Sequence, residues 1–458
     1  MRFAICDLRF AICAGGMLLL SVTYGRAETT NASVYPVDLP TALRLAGAQN
    51  LEIQIARERL DEAQANRSSA LERFFPWVAP GVSYHRRDGL AQAVPAGTIS
   101  DAHFQSYSPG ATLTAQMDLG DTIYNSLVAK QLVRASGQAL EAQRQDTILS
   151  VAKDYFDLAK SKALIEVASD ALKTSQDYQQ QLHGAVESGI AFKGDELRVQ
   201  TQTKQYQILL RQALEQQRLT AVELARILHL DPRVQLVPQD SGLARLTLLE
   251  TNLSVDILVE RALASRPELK QSTALLAAAR DSRNGASYGP LIPSLSAQAF
   301  GGGLGGGPDS GPSRFGAEGD YLIGLTWRIG PGGLFDPGRI HAAKARLAQA
   351  QLSDAKLKDD ITSQVVSGLA RVQSLSDQIE LAEGKLAVAT ETLRVTRERK
   401  QYGVGIVLED IQAQQDLERA RADYLSAIAE SNKAQYDLSK IIGGLAEVGE
   451  TERVVIQR

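Results

Sequence analysis

Cysteine, methionine and aromatic residues are scarce in this chain, and each shortage argues against a kind of site or a kind of fold. The only cysteines, Cys6 and Cys13, lie in an N-terminal segment that we expect to be removed. The mature chain therefore offers no thiolate for a metal or a disulfide. Met117 is the only methionine beyond that segment, which argues against a methionine relay for copper. Aromatic residues make up only 5% of the chain, and long proline-free runs rich in Ala, Gln, Leu and Glu indicate long helices rather than compact cores.

Basic clusters, long apolar runs and catalytic motifs are also missing. The formal net charge is −4 without a basic block, so the sequence shows no footprint of nucleic-acid binding. Beyond residue 27 no apolar run reaches the roughly 18 residues that an inner-membrane helix needs. No phosphate-binding Gly-Lys-Ser/Thr sequence occurs, and we predict neither enzymatic activity nor a cofactor. The histidines have no ligand spacing, so no metal site is predicted; they are His85, His103, His183, His229 and His341.

The first 27 residues have the pattern of a secretory signal. Arg2 and Arg9 supply positive charge, Ala11–Tyr24 is mostly apolar, and Ala27 is a small residue at the expected cleavage site. We therefore predict an exported protein whose signal peptide, residues 1–27, is cleaved.

The remainder of the chain contains an internal duplication at a constant offset of 214 residues. Residues 146–228 match residues 360–442, and the clearest feature is a seven-residue apolar ladder present in both copies. The ladder predicts long antiparallel coiled-coil hairpins. We accordingly predict one structural repeat at 28–254 and a second at 255–458. The matched ladder positions are Val151, Leu158, Ile165 and Leu172 in the first copy and Val365, Val372, Ile379 and Leu386 in the second.

Each repeat is predicted to follow the same order of elements. A first helix spans about Pro40–Glu72 in one copy and Val255–Arg283 in the other, and two extended segments follow it. A very long helix comes next, at about 122–187 and 338–401, and a short glycine-containing turn leads into a return helix. Each long helix should extend over about 100 Å.

Alternating polar and apolar residues predict four β-strands, two per repeat. The alternation is strict in Tyr107–Leu119 and Tyr321–Ile329, and weaker in Trp77–His85 and Leu295–Phe300. The intervening residues 86–105 and 301–319, the latter rich in glycine, are predicted to be flexible loops. A sheet that spans a membrane must close, and single-chain barrels begin at about eight strands, so four strands could close only by oligomerisation. The apolar residues predicted to face lipid are Tyr321, Ile323, Leu325 and Trp327.

These features together resemble the TolC-type outer-membrane efflux protein family. The resemblance covers about residues 36–445 and depends on the duplicated element order and on Phe75-Pro76 and Ile292-Pro293, which precede the first strand of each repeat. It also depends on the turn motif of residues 188–197 and its counterpart at 402–411.

The resemblance implies a mainly α fold with a membrane β-barrel contribution. Three chains would form a twelve-stranded barrel in the outer membrane, continued by a helical tunnel through the periplasm. It also implies a periplasmic adaptor (a membrane fusion protein) and an inner-membrane pump of the RND, ABC or MFS type, with no cofactor. Residues 231–252 and 443–458 would form a belt around the tunnel. The alternative is a soluble periplasmic coiled-coil scaffold or adaptor-like protein with a small soluble β domain.

The resemblance also places candidate gate residues at the hairpin turns. Glu409 matches an acidic position that, in a trimer of this family, would form a selectivity ring at the periplasmic mouth. Asp195 is its counterpart in the first copy by the 214-residue offset. Acids favoured by the dipole of a helix N-terminus would give the same pattern. Asp410 is expected on a solvated face or as another N-terminal acid. Three residues depart from the gated pattern: Gly405, Gln412 and Lys193, of which Lys193 is expected to dilute the charge of Asp195. These departures favour a loose constriction opened by the adaptor. The predicted turn glycines and adaptor contacts are Gly189, Gly403 and Gly405.

Overall fold

The computed structural model describes residues 34–92, 97–239, 242–249, 254–308, 313–402 and 405–445. The predicted signal peptide and Gly403 lie outside these ranges.

Eight helices dominate the described residues, and the two longest form the hairpins that the ladder predicts. They contain 69 and 65 residues, and each is followed by a return helix of 35 residues. The ends of both long helices fall within three residues of the predicted ends. The helices are α1 (Leu39–Gln49), α2 (Leu51–Glu72), α3 (Leu119–Glu187), α4 (Lys193–Ile227), α5 (Val255–Ser265), α6 (Pro267–Tyr288), α7 (Pro337–Gln401) and α8 (Val407–Ile441).

The first predicted helix of each repeat is in fact two helices, so the prediction of one continuous helix is wrong. The Asn50 side chain caps α2 by accepting hydrogen bonds from the backbone N–H groups of Glu52 and Ile53. It also donates to the carbonyl of Ile227 at the end of α4, at 3.0 Å. In the second repeat Pro267 forces the preceding residue out of the helical region, and there the Ser265 hydroxyl donates to the carbonyl of Ile442 at 2.8 Å. Each break is thus fastened to the end of its own return helix.

The four predicted strands form one antiparallel sheet. They are β2 (Trp77–Gln92), β3 (Ile99–Asp118), β5 (Ser294–Pro308) and β6 (Arg314–Thr326), in the order β2-β3-β5-β6. The two predicted loops are largely wrong because the strands continue through them: Arg86 pairs with Gln105, and Gly301–Gly307 belong to β5.

Glycines in β5 leave space that aromatic rings from both neighbouring strands occupy. A Cβ at Gly305 would lie 2.5 Å from the Tyr107 ring, and one at Gly303 would lie 2.4 Å from the Phe315 ring. The Tyr107 and Phe315 rings stack on one another with centroids 6.0 Å apart. This aromatic cover compensates for the side chains that the glycine strand lacks.

A second, two-stranded sheet is not predicted by the sequence. β1 (Val34–Val37) pairs in parallel with β4 (Gln235–Pro238). Each strand has only four residues and contains a proline, so neither produces an alternating pattern. The segment after β4 lies along α8. There the Asn432 side chain accepts a hydrogen bond from the backbone N–H of Leu246 and donates one to the carbonyl of Ala244.

The hydrophobic core lies between the hairpin helices at equivalent positions of the two repeats. Val151 and Leu158 are fully buried in α3, and Val365 and Val372 are buried in α7. On the return helices the equivalent pair of Leu224 and Leu438 is buried as well. Across the described residues, no helix combines the length and apolar character that a membrane crossing requires.

Candidate functional site: the hairpin tips

The predicted turn glycines are needed for two different reasons. Gly189 has a φ of 74°, and nothing lies within 4 Å of its Cβ position, so the backbone conformation itself favours glycine. Gly405 is a case of close approach, since a Cβ there would lie 2.9 Å from the backbone nitrogen of Lys400. Its N–H donates to the carbonyl of Arg399, which folds the second turn back onto the end of α7.

Asp195 and Glu409 occupy equivalent places in the first turns of α4 and α8. Asp195 lies 3.6 Å from the guanidinium of Arg198, one turn further along α4. Glu409 lies 3.5 Å from Arg399 at the end of α7. Both acids are therefore partly compensated by a cation, and Lys193, expected to dilute the charge of Asp195, pairs instead with Glu196 at 2.6 Å.

Asp410 is not on a solvated face, so that part of its prediction is wrong, although it does lie in the first turn of α8. Only 9% of its side chain is exposed, and its carboxylate lies 3.7 Å from Lys400 and 3.8 Å from Arg397. Burial lowers the pKa of Lys400, and the Asp410 carboxylate opposes that shift. Because the buried Asp410 lies between two cations of α7, it holds the end of α7 and the start of α8 together at the tip.

Lys400 also links the two hairpins. Its ammonium lies 3.5 Å from the centroid of the Tyr178 ring, in the range of a cation–π interaction. Tyr178 belongs to α3, Lys400 to α7 and Asp410 to α8, so one chain of contacts joins three helices. No sequence pattern predicts this contact, because it depends on how the two hairpins pack against each other.

A cavity of about 430 Å³ lies between the two hairpins beside this contact. The hydroxyls of Tyr178 and Tyr206 are buried there without a hydrogen-bond partner among the described residues. Burial raises the pKa of Tyr206 to about 12. Across the same gap Gln415 donates to Gln202 at 2.6 Å.

His183 holds the tip of the first hairpin together. In the sequence it is one of the histidines without metal-ligand spacing. Its Nδ1 lies 2.8 Å from Glu196 on α4, and its Nε2 lies 3.3 Å from Glu187 on α3. The hydrogen bond with Glu196, followed by the charge of Glu187, raises the pKa of His183. The charged histidine thus bridges the start of the turn to its end.

Protection of this tip from hydrogen exchange is expected to depend on pH. Because the folded state raises the pKa of His183, the stabilisation is complete below the ordinary histidine pKa of about 6.5 and is lost as pH rises through the raised value. Exchange rates of peptides covering 183–197, corrected for intrinsic rates, should therefore increase from about pH 5.5 to about pH 8. His183→Gln should remove the dependence and His341→Gln should keep it; a profile unaffected by His183→Gln would contradict this role.

The residues predicted to face lipid lie mainly on one edge strand. Tyr321, Ile323 and Leu325 alternate along β6 and are all exposed. Trp327 lies beyond the end of β6, and its indole N–H donates to the carbonyl of Leu291 at 3.2 Å. The strand therefore begins before the predicted Tyr321 and ends at Thr326, before the predicted Ile329. The hydrogen bond of Trp327 attaches its side chain to the junction between the sheet and the helices.

Comparison with known proteins identifies the family. A family model described as outer membrane efflux protein matches the chain twice, over residues 42–228 and 258–444. The chain belongs to the outer membrane efflux protein family. Membership makes it a transport channel protein rather than an enzyme, located in the outer membrane and extending into the periplasm. Family members are trimers that act with periplasmic adaptors and inner-membrane pumps.

Solved structures agree in fold with this assignment. A membrane protein from Pseudomonas aeruginosa is 19% identical, with a TM-score of 0.75 over 90% of this chain and 95% of the other. The CmeC outer membrane channel of Campylobacter jejuni is 17% identical, with a TM-score of 0.74 over 89% and 85%. VceC, an outer membrane protein of Vibrio cholerae, is 18% identical, with a TM-score of 0.73 over 89% and 96%. A search of curated proteins returned no match.

Proposed function

We propose that three copies of this chain form the outer-membrane duct of a tripartite efflux or type I secretion system. The observation that carries the proposal is the four-stranded sheet, whose outer strands β2 and β6 are both edges. An open sheet edge in lipid leaves backbone groups unsatisfied, and pairing β6 of one copy with β2 of the next removes every edge. Three copies would supply twelve strands, which is within the range of outer-membrane barrels.

The partners of such a duct are a periplasmic adaptor and an inner-membrane pump of the RND, ABC or MFS type. The long hairpins support this, because helices of 69 and 65 residues extend about 100 Å from the sheet and bring the tips toward the inner membrane. Conduction is passive and needs no cofactor. Family membership and the exposed apolar face of β6 favour the duct over a soluble periplasmic scaffold.

Membrane fractionation and mass measurement test this proposal. The purified protein in detergent should have the mass of three chains and should partition with the outer membrane. A monomer of unchanged mass at all concentrations, or a protein found only in the soluble periplasm, would refute it.

At the periplasmic mouth, Asp195 and Glu409 are proposed to favour cations. In a trimer the two equivalent positions would supply six acidic groups, and such rings repel anions. Asp195→Asn combined with Glu409→Gln should lower the cation-to-anion permeability ratio in planar bilayers. The change should be modest, because each acid already has a basic partner.

A matched control separates this role from a simple helix-dipole role. Asp256 lies in the first turn of α5, far along the chain from both turns. Asp256→Asn removes a first-turn acid without changing the tips, so it should leave the permeability ratio unaltered. Equal ratios for the control and the double variant would remove Asp195 and Glu409 as selectivity residues.

A further inference from the structure

The four-stranded sheet has an outer face, which we define as the face that carries Tyr321, Ile323 and Leu325 of β6. The register of the sheet extends this face across the other three strands, where every second residue belongs to it. Over most of the sheet none of these outer-face residues is charged. The uncharged residues are every second one from Val78 to Val82, from Pro109 to Met117, from Leu295 to Gly303 and from Ala317 to Leu325.

A row of aromatic residues crosses the outer face at one level. Tyr84 of β2 lies opposite Tyr107 of β3, and Tyr107 lies opposite Gly305 of β5. Gly305 in turn lies opposite Phe315 of β6. The aromatic row therefore consists of Tyr84, Tyr107 and Phe315. In outer-membrane strands such residues gather at the level where the hydrocarbon meets the headgroups.

The apolar part of β6 has the height of a membrane. Phe315 and Leu325 are ten residues apart, which is about 33 Å along the strand. A tilt of about 40° reduces this to about 25 Å across the membrane, the height of the apolar band of outer-membrane barrels. Because α3 leaves the opposite end of the sheet, after Asp118, the aromatic row of the proposed duct belongs to the outer leaflet.

Charged residues occur on the outer face directly beyond the aromatic row. Arg86 and Gln105 are cross-strand partners two residues beyond it, and Asp88 and His103 are partners two residues further on. Asp101 lies beyond these again. The charged level nearest the hydrocarbon thus carries a cation, and both acids lie farther out.

Only the strands of the first repeat present side chains at these levels. β2 and β3 each continue for eight residues beyond the aromatic row, about 26 Å along the strand. β5 ends at Pro308, three residues beyond the row, and β6 begins at Arg314, one residue beyond it on the inner face. Among the four described strands, the surface outside the hydrocarbon is therefore the hairpin of β2 and β3.

Arg86 has the access and the geometry to bind a phosphate. Half of its side chain is exposed, and its Nε lies 2.8 Å from Asp88, which in turn lies 3.2 Å from Nδ1 of His103. An ion pair exposed to this extent is weak, so a phosphate can replace Asp88 as the partner of Arg86. A guanidinium binds phosphate through two parallel hydrogen bonds, and its hydrocarbon stem tolerates the apolar side of a membrane boundary.

We propose that Arg86 binds the phosphate of a lipid headgroup in the outer leaflet, immediately beyond the aromatic row. Charge complementarity selects this occupant, because the first charged residue beyond an uncharged lipid-facing surface is a cation, and phosphate is the anionic group at that level. Gln105 beside it supplies an amide donor. The inference rests on the proposed outer-membrane duct and names the lipid chemistry that its outer end recognises.

Thiol labelling tests the position of the boundary. Cys6 and Cys13 lie within the predicted signal peptide, so a cysteine introduced elsewhere is the only thiol of the mature chain. In intact cells a membrane-impermeant maleimide should label Asp88→Cys and leave Val82→Cys unlabelled. Equal labelling of these two outer-face positions would show that the boundary does not lie at the aromatic row.

Lipid titration tests the phosphate contact. Diphosphorylated lipid A should bind to the detergent-solubilised protein, and Arg86→Gln should weaken its apparent affinity by about threefold to tenfold. Arg86→Lys should retain part of the affinity, because the charge remains. Arg87→Gln is the matched control: Arg87 is the next residue of β2 but lies on the opposite face of the sheet, so its loss should change the affinity little.

Two further ligands identify what the site recognises. Dephosphorylated lipid A should bind more weakly than the diphosphorylated form and should not distinguish Arg86→Gln from the wild type. Equal binding of the two lipids would show that the contact is apolar only. Binding of inorganic phosphate as tight as that of lipid A would indicate a site for the free anion. Either result would overturn the inference.

The outcomes separate this inference from the proposed function. A trimer in the outer membrane whose lipid affinity is the same in the wild type and in Arg86→Gln, or falls equally in Arg87→Gln, would overturn the phosphate contact while leaving the duct intact. A wild-type protein that stays monomeric in the soluble periplasm would refute the duct itself. Weakened binding in Arg86→Gln alone, together with labelling at Asp88→Cys but not at Val82→Cys, would establish the contact.

Discussion

Gly120→Ala is expected to destabilise the protein by about 3 kcal/mol or more, the upper end of overpacking costs. A Cβ at position 120 would lie 2.0 Å from the carbonyl oxygen of Gly289 and 2.8 Å from its Cα. These are backbone atoms, which cannot turn aside as a side chain could. Gly120 lies in the first turn of α3, where the sheet continues into the tunnel helices, so the clash separates the two parts at their junction.

The same helix contains a matched control. Nothing lies within 4 Å of a Cβ at Gly137, so Gly137→Ala should stabilise the protein by about 0.5–1 kcal/mol through helix propensity. Thermal unfolding followed by far-ultraviolet circular dichroism compares the two variants directly. Equal midpoints for Gly120→Ala and the wild type would show that the junction can relax, contrary to this expectation.

Asp410→Asn is expected to have the largest effect on the state of the periplasmic mouth. The substitution leaves Lys400 and Arg397 close together without the carboxylate that compensates both. Removing one partner of a fully buried ion pair costs about 3–5 kcal/mol, and the partial exposure of the two cations reduces that to about 1–2 kcal/mol. We expect the contacts between the ends of α7 and α8 to weaken by this amount. In the proposed duct, the open population of the mouth should then increase by about 5–30-fold.

Single-channel recording measures this change as open probability. Tyr178→Leu should act in the same direction, because it removes the ring beneath the Lys400 ammonium while leaving the ion pairs in place. Asp416→Asn is the control, because the Asp416 side chain is exposed on the same helix and pairs with the exposed Arg419 at 3.5 Å. An open probability equal in all three variants would show that the buried acid does not hold the mouth.

The long helices were predictable because their signal is repeated many times. Apolar residues such as Val365 and Val372 occur every seven residues over several helical turns, so the spacing remains evident even where one residue departs from it. The helix breaks at Asn50 and Arg266 do not interrupt the spacing of apolar residues, so that spacing predicted one continuous helix in each repeat. The structure has extended backbone at both residues.

The failures concern residues whose role depends on a neighbour distant in sequence. Glycines in β5 carry no side chain and so no alternation; their strand becomes stable only when Tyr107 and Phe315 cover it from adjacent strands. Asp410 was predicted to lie on a solvated face because first-turn acids are common and most of them are exposed. Its burial depends on Lys400 and Arg397 approaching across the turn, and local sequence does not determine that approach.

The hydrogen bonds from Asn50 to Ile227 and from Ser265 to Ile442 have a consequence for how the chain folds after export. Each bond spans 177 residues, so neither can form until nearly a whole repeat has emerged from the translocation machinery. Contacts of such long sequence separation form late, after the entropy of closing the intervening chain has been lost. The bond from Asn50 needs only α1 to α4, whereas the bond from Ser265 also needs α8, so each repeat can be fastened only after its own return helix has been exported.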